Sequence, residues 1–231
     1  MADALWAAPF PAGVVAPSAR YALIRDASGR VLVVGLGDGA LLWRSQQSLK
    51  PLLIDDELCL GLAMQPPCVW AHALDGAQRW RSALLPWPEW LAREAEAELP
   101  STCDLRAAWL GNGAASLWWT LRRPSGGGAG RGPRAADNGV TGACRFARAD
   151  GTITLVDAAT LRPPEQTSAE PSNDPQVLAQ HRIGSVRYAL RQQVDARMVR
   201  TTLVAHTEQG PAWQRAIDEI EPSRPTPPRP R

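Results

Sequence analysis

An eight-residue word occurs twice in this chain of 231 residues: "DGALLWRS" at 38–45 and "DGAQRWRS" at 75–82. Each copy follows an apolar run, "RVLVVG" or "CVWAHAL". Asp-Gly between two such runs marks a hairpin, because its tight turn needs positive φ at the centre. Two further stretches keep the plan. "ACRFARADGTITLVD", 143–157, turns at Asp150-Gly151 and has Leu155 where the tryptophan stands, and "RTTLVAHTEQGPAWQR", 200–215, has Gly210 and Trp213. All four read as strand, turn, strand by their period-two alternation.

Strand-like material precedes every hairpin: "RYALIRD", "PLLIDDELCLGLA", "DLRAAWLGNGAASLWWTLRR" and "HRIGSVRYALRQQ". The unit is therefore three or four antiparallel strands, repeated at about residues 14–48, 49–86, 101–158 and 180–220. The even spacing of Gly39, Gly76, Gly113 and Gly151 is not the repeat. Asn112-Gly113 joins the first two strands of its unit, whereas the other turns join the last two. Residues 88–99 read as a linker helix opened by Pro88, 124–138 as a flexible glycine-rich loop, and 160–176 as a polar linker. The closing stretch "EPSRPTPPRPR", 221–231, reads as an extended, disordered tail. "GPAWQRAIDEI", 210–220, suits either a strand or a short helix.

Repeats of about 35–50 residues, each a small antiparallel sheet, point to propellers. A lone sheet of this kind leaves an apolar face uncovered, so neighbours must pack face to face around an axis. A tryptophan at a fixed offset past the turn then wedges into the adjacent sheet, contributing about 2–3 kcal/mol of burial. The expected docking set is Trp43, Trp80 and Trp213 with the turn glycines Gly39, Gly76 and Gly151. The expected fold is all-β, a propeller-like array of four units. It forms either a closed four-bladed ring or half of a larger ring completed by a homodimer.

The strings "AHALDGAQRW", 71–80, and "VAHTEQGPAW", 204–213, resemble the blade signature of PQQ-binding-like, quinoprotein-type β-propellers. By that resemblance Ala73, Asp75, Gly76 and Trp80 take the Ala, Asp, Gly and Trp roles in the second unit, and Gly39 and Trp43 do so in the first. The Thr of the signature is absent throughout. The calcium-binding carboxylate cluster and adjacent cysteines of the quinone dehydrogenases are absent too, so the resemblance implies blade design and no quinone cofactor.

Candidates for chemistry are few. Asp55-Asp56-Glu57 is the densest carboxylate cluster, and it suits a polar hairpin turn better than a metal or general-base site. "GLGDG", 35–39, lacks the Lys-Ser/Thr of a phosphate loop. His72 and His206 precede their turns at similar offsets, and with His181 they complete the histidines. Four scattered cysteines (Cys59, Cys68, Cys103, Cys144) make no C-x-x-C pair, so free thiols in a reducing compartment are expected. No metal, cofactor or catalytic residue is assigned, and an enzyme is not the favoured reading.

Net charge is +2 and Lys50 is the lone lysine, so the totals point to neither nucleic acid nor a membrane. The first twenty residues lack a secretory pattern, and no window nears the roughly eighteen apolar residues of a spanning helix. A cytoplasmic protein is expected. Ten tryptophans are the compositional oddity. Trp118 and Trp119 point to opposite faces of one strand. With Arg122, Arg123, Arg131 and Arg134 of the following loop they form the candidate partner-binding set. The expected function is a noncatalytic scaffold for a protein or peptide. The alternative is an enzyme accessory or small-ligand protein using the axial end of the ring.

Overall fold

The computed structural model describes residues 4–87, 103–122, 139–164, 172–195 and 198–220. The linker helix expected at 88–99 and the loop at 124–138 lie outside these residues, as do Arg123, Arg131, Arg134 and the stretch 221–231. The described chain forms four antiparallel sheets. β1 (Ala4–Trp6) stands apart from the strands that follow it. Sheet 1 runs β2 (Ala8–Phe10), β3 (Gly13–Val15), β4 (Tyr21–Arg25), β5 (Arg30–Gly35) and β6 (Leu41–Ser48). Sheet 2 is β7 (Lys50–Ile54), β8 (Leu58–Met64), β9 (Pro67–Ala73) and β10 (Gln78–Arg81). Sheet 3 is β11 (Cys103–Leu110), β12 (Ala114–Arg122), β13 (Gly139–Ala147) and β14 (Ile153–Val156), with β1 added beside β11. Sheet 4 is β15 (Val177–Ile183), β16 (Val186–Val194), β17 (Val199–Thr207) and β18 (Gly210–Ile220). Residues 210–220 are thus a strand.

Two sheets have five strands, where three or four were expected. The extra strands come from residues 4–10, which split between sheets: β1 extends sheet 3 and β2 extends sheet 1. Three-residue strands leave no readable alternation. Pro9 is tolerated because β2 is an edge, where a missing N–H breaks no ladder.

Three apolar clusters bind the sheets. One lies between sheets 4 and 1 (Ile24, Leu32, Val34, Tyr188, Leu203), a second between sheets 1 and 2 (Leu23, Val33, Ile54, Cys68), and a third between sheets 2 and 3 (Leu60, Leu62, Leu117, Trp119, Phe146). Sheets 1 and 2 are covered on both faces, and for that reason Val31 to Val34 form a continuous buried run instead of alternating. The packing order is 4-1-2-3. Among the described residues no apolar cluster joins sheets 3 and 4, so the propeller-like array is open there.

Four of the shared letters of the repeated word, Asp, Gly, Trp and Ser, have a structural task. Asp38, Asp75 and Asp150 each accept a hydrogen bond from the backbone N–H two residues on, at 2.9–3.0 Å, which sets the turn. Gly39, Gly76 and Gly151 have φ of 71°, 90° and 73°. The tryptophan of each sheet lies over the turn glycine of the next: Trp213 on Gly39, Trp43 on Gly76, Trp80 on Gly151. A Cβ at any of the three would collide with an indole ring. The final serines, Ser45 and Ser82, are buried and accept from Val31 and Val69 N–H at 3.0 and 2.9 Å, satisfying donors on the neighbouring strand.

Gly113 provides an internal control, since its φ is also positive (72°) but nothing lies near its missing Cβ. Gly113→Ala should cost about 1–2 kcal/mol from backbone strain alone. Gly151→Ala adds the clash with Trp80 and should cost roughly 2–5 kcal/mol. Urea denaturation of the two variants checks this, and equal losses would show that the ring contact carries no weight.

Candidate functional site

The docking contact is built alike at two interfaces and differently at the third. Trp213 Nε1–H donates to Leu36 O at 3.1 Å, and Trp80 Nε1–H to Arg148 O at 2.7 Å. Both acceptors lie three residues before the covered glycine. Trp43 makes no such bond to the Gly76 turn. Its ring contacts the missing Cβ of Gly76 through the pyrrole side, where the other two use the benzene side. Trp43 instead packs on His72, with ring centroids 4.6 Å apart.

A β-bulge aims each docking tryptophan. The ladder slips by a residue just before Trp43, Trp80 and Trp213, so each indole pairs with a residue facing the next sheet. Sheet 3 has no slip: Ile153, Thr154 and Leu155 pair in step with Phe146, Arg145 and Cys144. Leu155 therefore shares the face of Cys144, the side turned to sheet 2, and is 62% exposed. The third unit has lost both the tryptophan and the bulge that would aim it.

Sheet 3 is covered by its own chain on the side away from sheet 2. Ala108, Ser116 and Ala143 are buried there, and the 3-10 turn Ala158–Leu161 packs along β13 with Leu161 buried. Asp157 caps that turn by accepting from Ala159 N–H.

The corresponding face of sheet 4 is charged and polar around a buried centre, Ala189 beside Val204. Its face away from sheet 1 follows from the register: Arg182 beside Arg187, Arg187 beside His206, Arg191 beside Thr202, and Gln193 beside Arg200. Asp174 pairs with Arg191 at 2.7 Å and Glu219 with Arg200 at 2.6 Å. Arg182 and Arg187 are exposed and carry no ion pair among the described residues. Burial, reinforced by the Arg187 and Arg191 charges, lowers the His206 pKa from the usual imidazole value. Nothing stands near the missing Cβ of Gly210, whose φ is 122°. It opens β18, paired with Thr207 across the Glu208-Gln209 turn, and so differs in position from Gly39, Gly76 and Gly151.

The residues singled out from the sequence fall in separate places. Trp119 is buried in the core between sheets 2 and 3, beside Trp87, so its ring is unavailable to a partner. Trp118, on the opposite face, is half-buried, and Arg122 is exposed at the end of β12. The Asp55-Asp56-Glu57 cluster is a turn. Asp55 accepts from Glu57 and Leu58 N–H, and Arg148 pairs with both Asp55 and Glu57 while lying over the Trp109 ring. It fastens sheet 2 to sheet 3. "GLGDG" is the turn that Trp213 covers.

His72 and His206 sit in different sheets, 2 and 4. Among the described residues no group of three metal-ligating side chains occurs. Burial pushes the Cys59 and Cys144 thiols up to about 12. The sheet 4 arginines were readable in the sequence: Arg187 and Arg191 alternate with Tyr188 and Leu190. Their significance was not, because which face lacks a neighbour is a property of the array.

No family model and no curated protein matches this chain. Among solved structures it is similar to BamB from Moraxella catarrhalis at 11% identity, with a TM-score of 0.32, over 88% of this chain and 60% of that one. It is also similar to the computationally designed Ika8 protein at 10% identity, with a TM-score of 0.28, over 94% of this chain and 89% of that one. The chain thus spans less than two thirds of the BamB chain. At these scores the likenesses add nothing to what the strands show.

His72 gives a pH test of the interface between sheets 1 and 2. Burial lowers its pKa, so the folded state holds fewer protons than the unfolded one. Its contribution to stability is full above the unfolded imidazole pKa of about 6.5 and is lost as pH falls through and below it. The wild type should lose more thermal stability between about pH 7 and about pH 5.5 than His72→Gln does. Parallel melting curves of the two proteins would refute that role.

Proposed function

We propose that this chain is a noncatalytic β-propeller-like scaffold that binds an acidic protein through the arginine-bearing face of sheet 4. One observation carries the reading: that face presents Arg182 and Arg187 side by side, exposed and without ion pairs among the described residues. A partner surface with carboxylates for the arginines matches it. A second copy suits it less well. Sheet 3 offers no docking tryptophan, and two sheet 4 faces together would oppose arginine with arginine.

The blade design, with Ala73, Asp75, Gly76 and Trp80 in the signature positions, supports kinship with quinoprotein-type repeats. The buried free thiols Cys59, Cys68 and Cys144 support a reducing compartment, in keeping with a cytoplasmic protein. Trp118 and Arg122 are a secondary contact in this reading, together with Arg123, Arg131 and Arg134.

A second reading rests on an axial cavity of about 240 Å³ where the inner strands converge, lined by Trp6, Pro9, Leu52, Leu105, Arg106 and Pro163. Its lining is mostly apolar, and Arg106 is already paired with Asp104 at 2.7 Å. A small, largely uncharged ligand fits it, and native mass spectrometry of the purified chain would reveal one as a discrete added mass.

The deciding experiment is capture from the native host by the tagged chain, nuclease-treated and at moderate salt. The wild type should retain one stoichiometric acidic protein. Arg182→Glu with Arg187→Glu should reduce its retention about tenfold or more while leaving the melting temperature unchanged. Undiminished retention by the variant would place the interface elsewhere. Loss of capture on nuclease treatment would make the ligand a nucleic acid.

A further inference from the structure

Losing the docking tryptophan and its bulge also changes the edge of sheet 3. β6, β10, β14 and β18 are the last strands of their units, and each forms one edge of its sheet. Three of them are guarded against pairing with a further strand. β6 carries Arg44, β10 carries Arg79 and Arg81, and β18 carries Arg215, Asp218 and Glu219. Each of the three also slips out of register at a bulge. Charges and bulges are the devices that keep an edge strand from adding another. β14 has neither. It reads Ile153-Thr154-Leu155-Val156 and pairs in step with β13 throughout, so its short length is its sole guard. The bulge that would have aimed a tryptophan would also have bent this edge, and without it the edge is straight and uncharged.

The hydrogen-bond pattern says which groups that edge offers. Ala147 N–H donates to Thr152 O at 3.0 Å, so Thr152, Thr154 and Val156 direct their backbone groups toward β13. The N–H and C=O groups of Ile153 and Leu155 therefore point away from the sheet, and no hydrogen bond reaches them among the described residues. Leu155 is also 62% exposed, on the face where Ile153 packs against the core of sheets 2 and 3. An antiparallel strand laid along this edge must offer two outward residues spaced two apart, and a second β14 does so. With a two-fold axis at Thr154, Ile153 of each copy stands opposite Leu155 of the other, and each such pair exchanges both of its backbone hydrogen bonds. Each exposed Leu155 then packs beside the other copy's Ile153. The two Thr154 side chains meet on the opposite face, a favourable cross-strand pair. No charged side chain of β14 opposes its like, and the two five-stranded sheets become one continuous sheet.

We infer that two copies of this chain pair antiparallel through β14, with Thr154 on the two-fold axis. Sedimentation velocity should show a dimer forming as the full chain is raised from about 1 μM to about 100 μM. Leu155→Lys, at an exposed position, should weaken that dimer about tenfold or more while leaving the melting temperature unchanged. Oxidative cross-linking reads the register. Residues facing across a non-hydrogen-bonded pair have Cα atoms about 4.5 Å apart, within disulfide reach, whereas diagonal neighbours are about 7–8 Å apart. Thr154→Cys should therefore give a disulfide-linked dimer, and Leu155→Cys should give no more than the unaltered chain with its own four cysteines. A chain that stays monomeric, a dimer indifferent to Leu155→Lys, or equal cross-linking at the two positions overturns the inference.

Discussion

The contact on which this architecture depends is an indole ring lying over a glycine. A small sheet of four or five strands has two faces and cannot cover either by itself, so stability must come from its neighbours. The repeated word solves this with few residues. Aspartate folds the turn, glycine keeps the turn's surface flat at positive φ, and a bulge two or three residues later throws a tryptophan onto the flat turn of the next sheet. Each part depends on the others. Without the bulge the side chain points to the wrong face, as Leu155 does. Without the glycine the ring has nowhere to lie.

Because the contact is directional, losing it in one unit has a defined consequence. The third unit has neither the docking tryptophan nor its bulge, and among the described residues it is at that point that the array stops. The chain does not leave the sheet 3 face bare, since residues 157–164 turn back along β13. The far face of sheet 4 instead carries arginines around a buried Ala189 and Val204. An open array thus has two unlike ends, one closed by its own chain and one charged. That asymmetry argues for a different partner over a second copy at the charged end, and it follows from the position of one missing tryptophan.

The sheets themselves were legible in the sequence because hairpin turns and period-two alternation are local signals. The Trp43, Trp80 and Trp213 offsets announced docking for the same reason. What lay beyond reach was relational. Register slips at Val33–Val34, Gln78–Trp80 and Ala205–His206 decide which way a side chain points, and no residue type marks them. The split of residues 4–10 between two sheets was equally hidden, as three-residue strands carry no period. Trp118 and Trp119 show the limit clearly. Alternation placed them on opposite faces, but only the packing order tells that the Trp119 face meets sheet 2 and the Trp118 face meets a covering turn.

The same reasoning explains why departures from the repeat deserve more weight than the repeat itself. At two interfaces the docking indole satisfies its N–H on the turn it covers. At the interface between sheets 1 and 2 the second unit's shorter turn offers no matching carbonyl, Trp43 swings onto His72, and Trp70 is left with a buried donor. The interface between sheets 2 and 3 likewise buries unpaired indole donors, at Trp87 and Trp119, so an orphan N–H does not set one interface apart. What does is how the turn is covered: Trp43 meets Gly76 through its pyrrole side, where Trp80 and Trp213 lay the benzene side on their glycines and bond the turn.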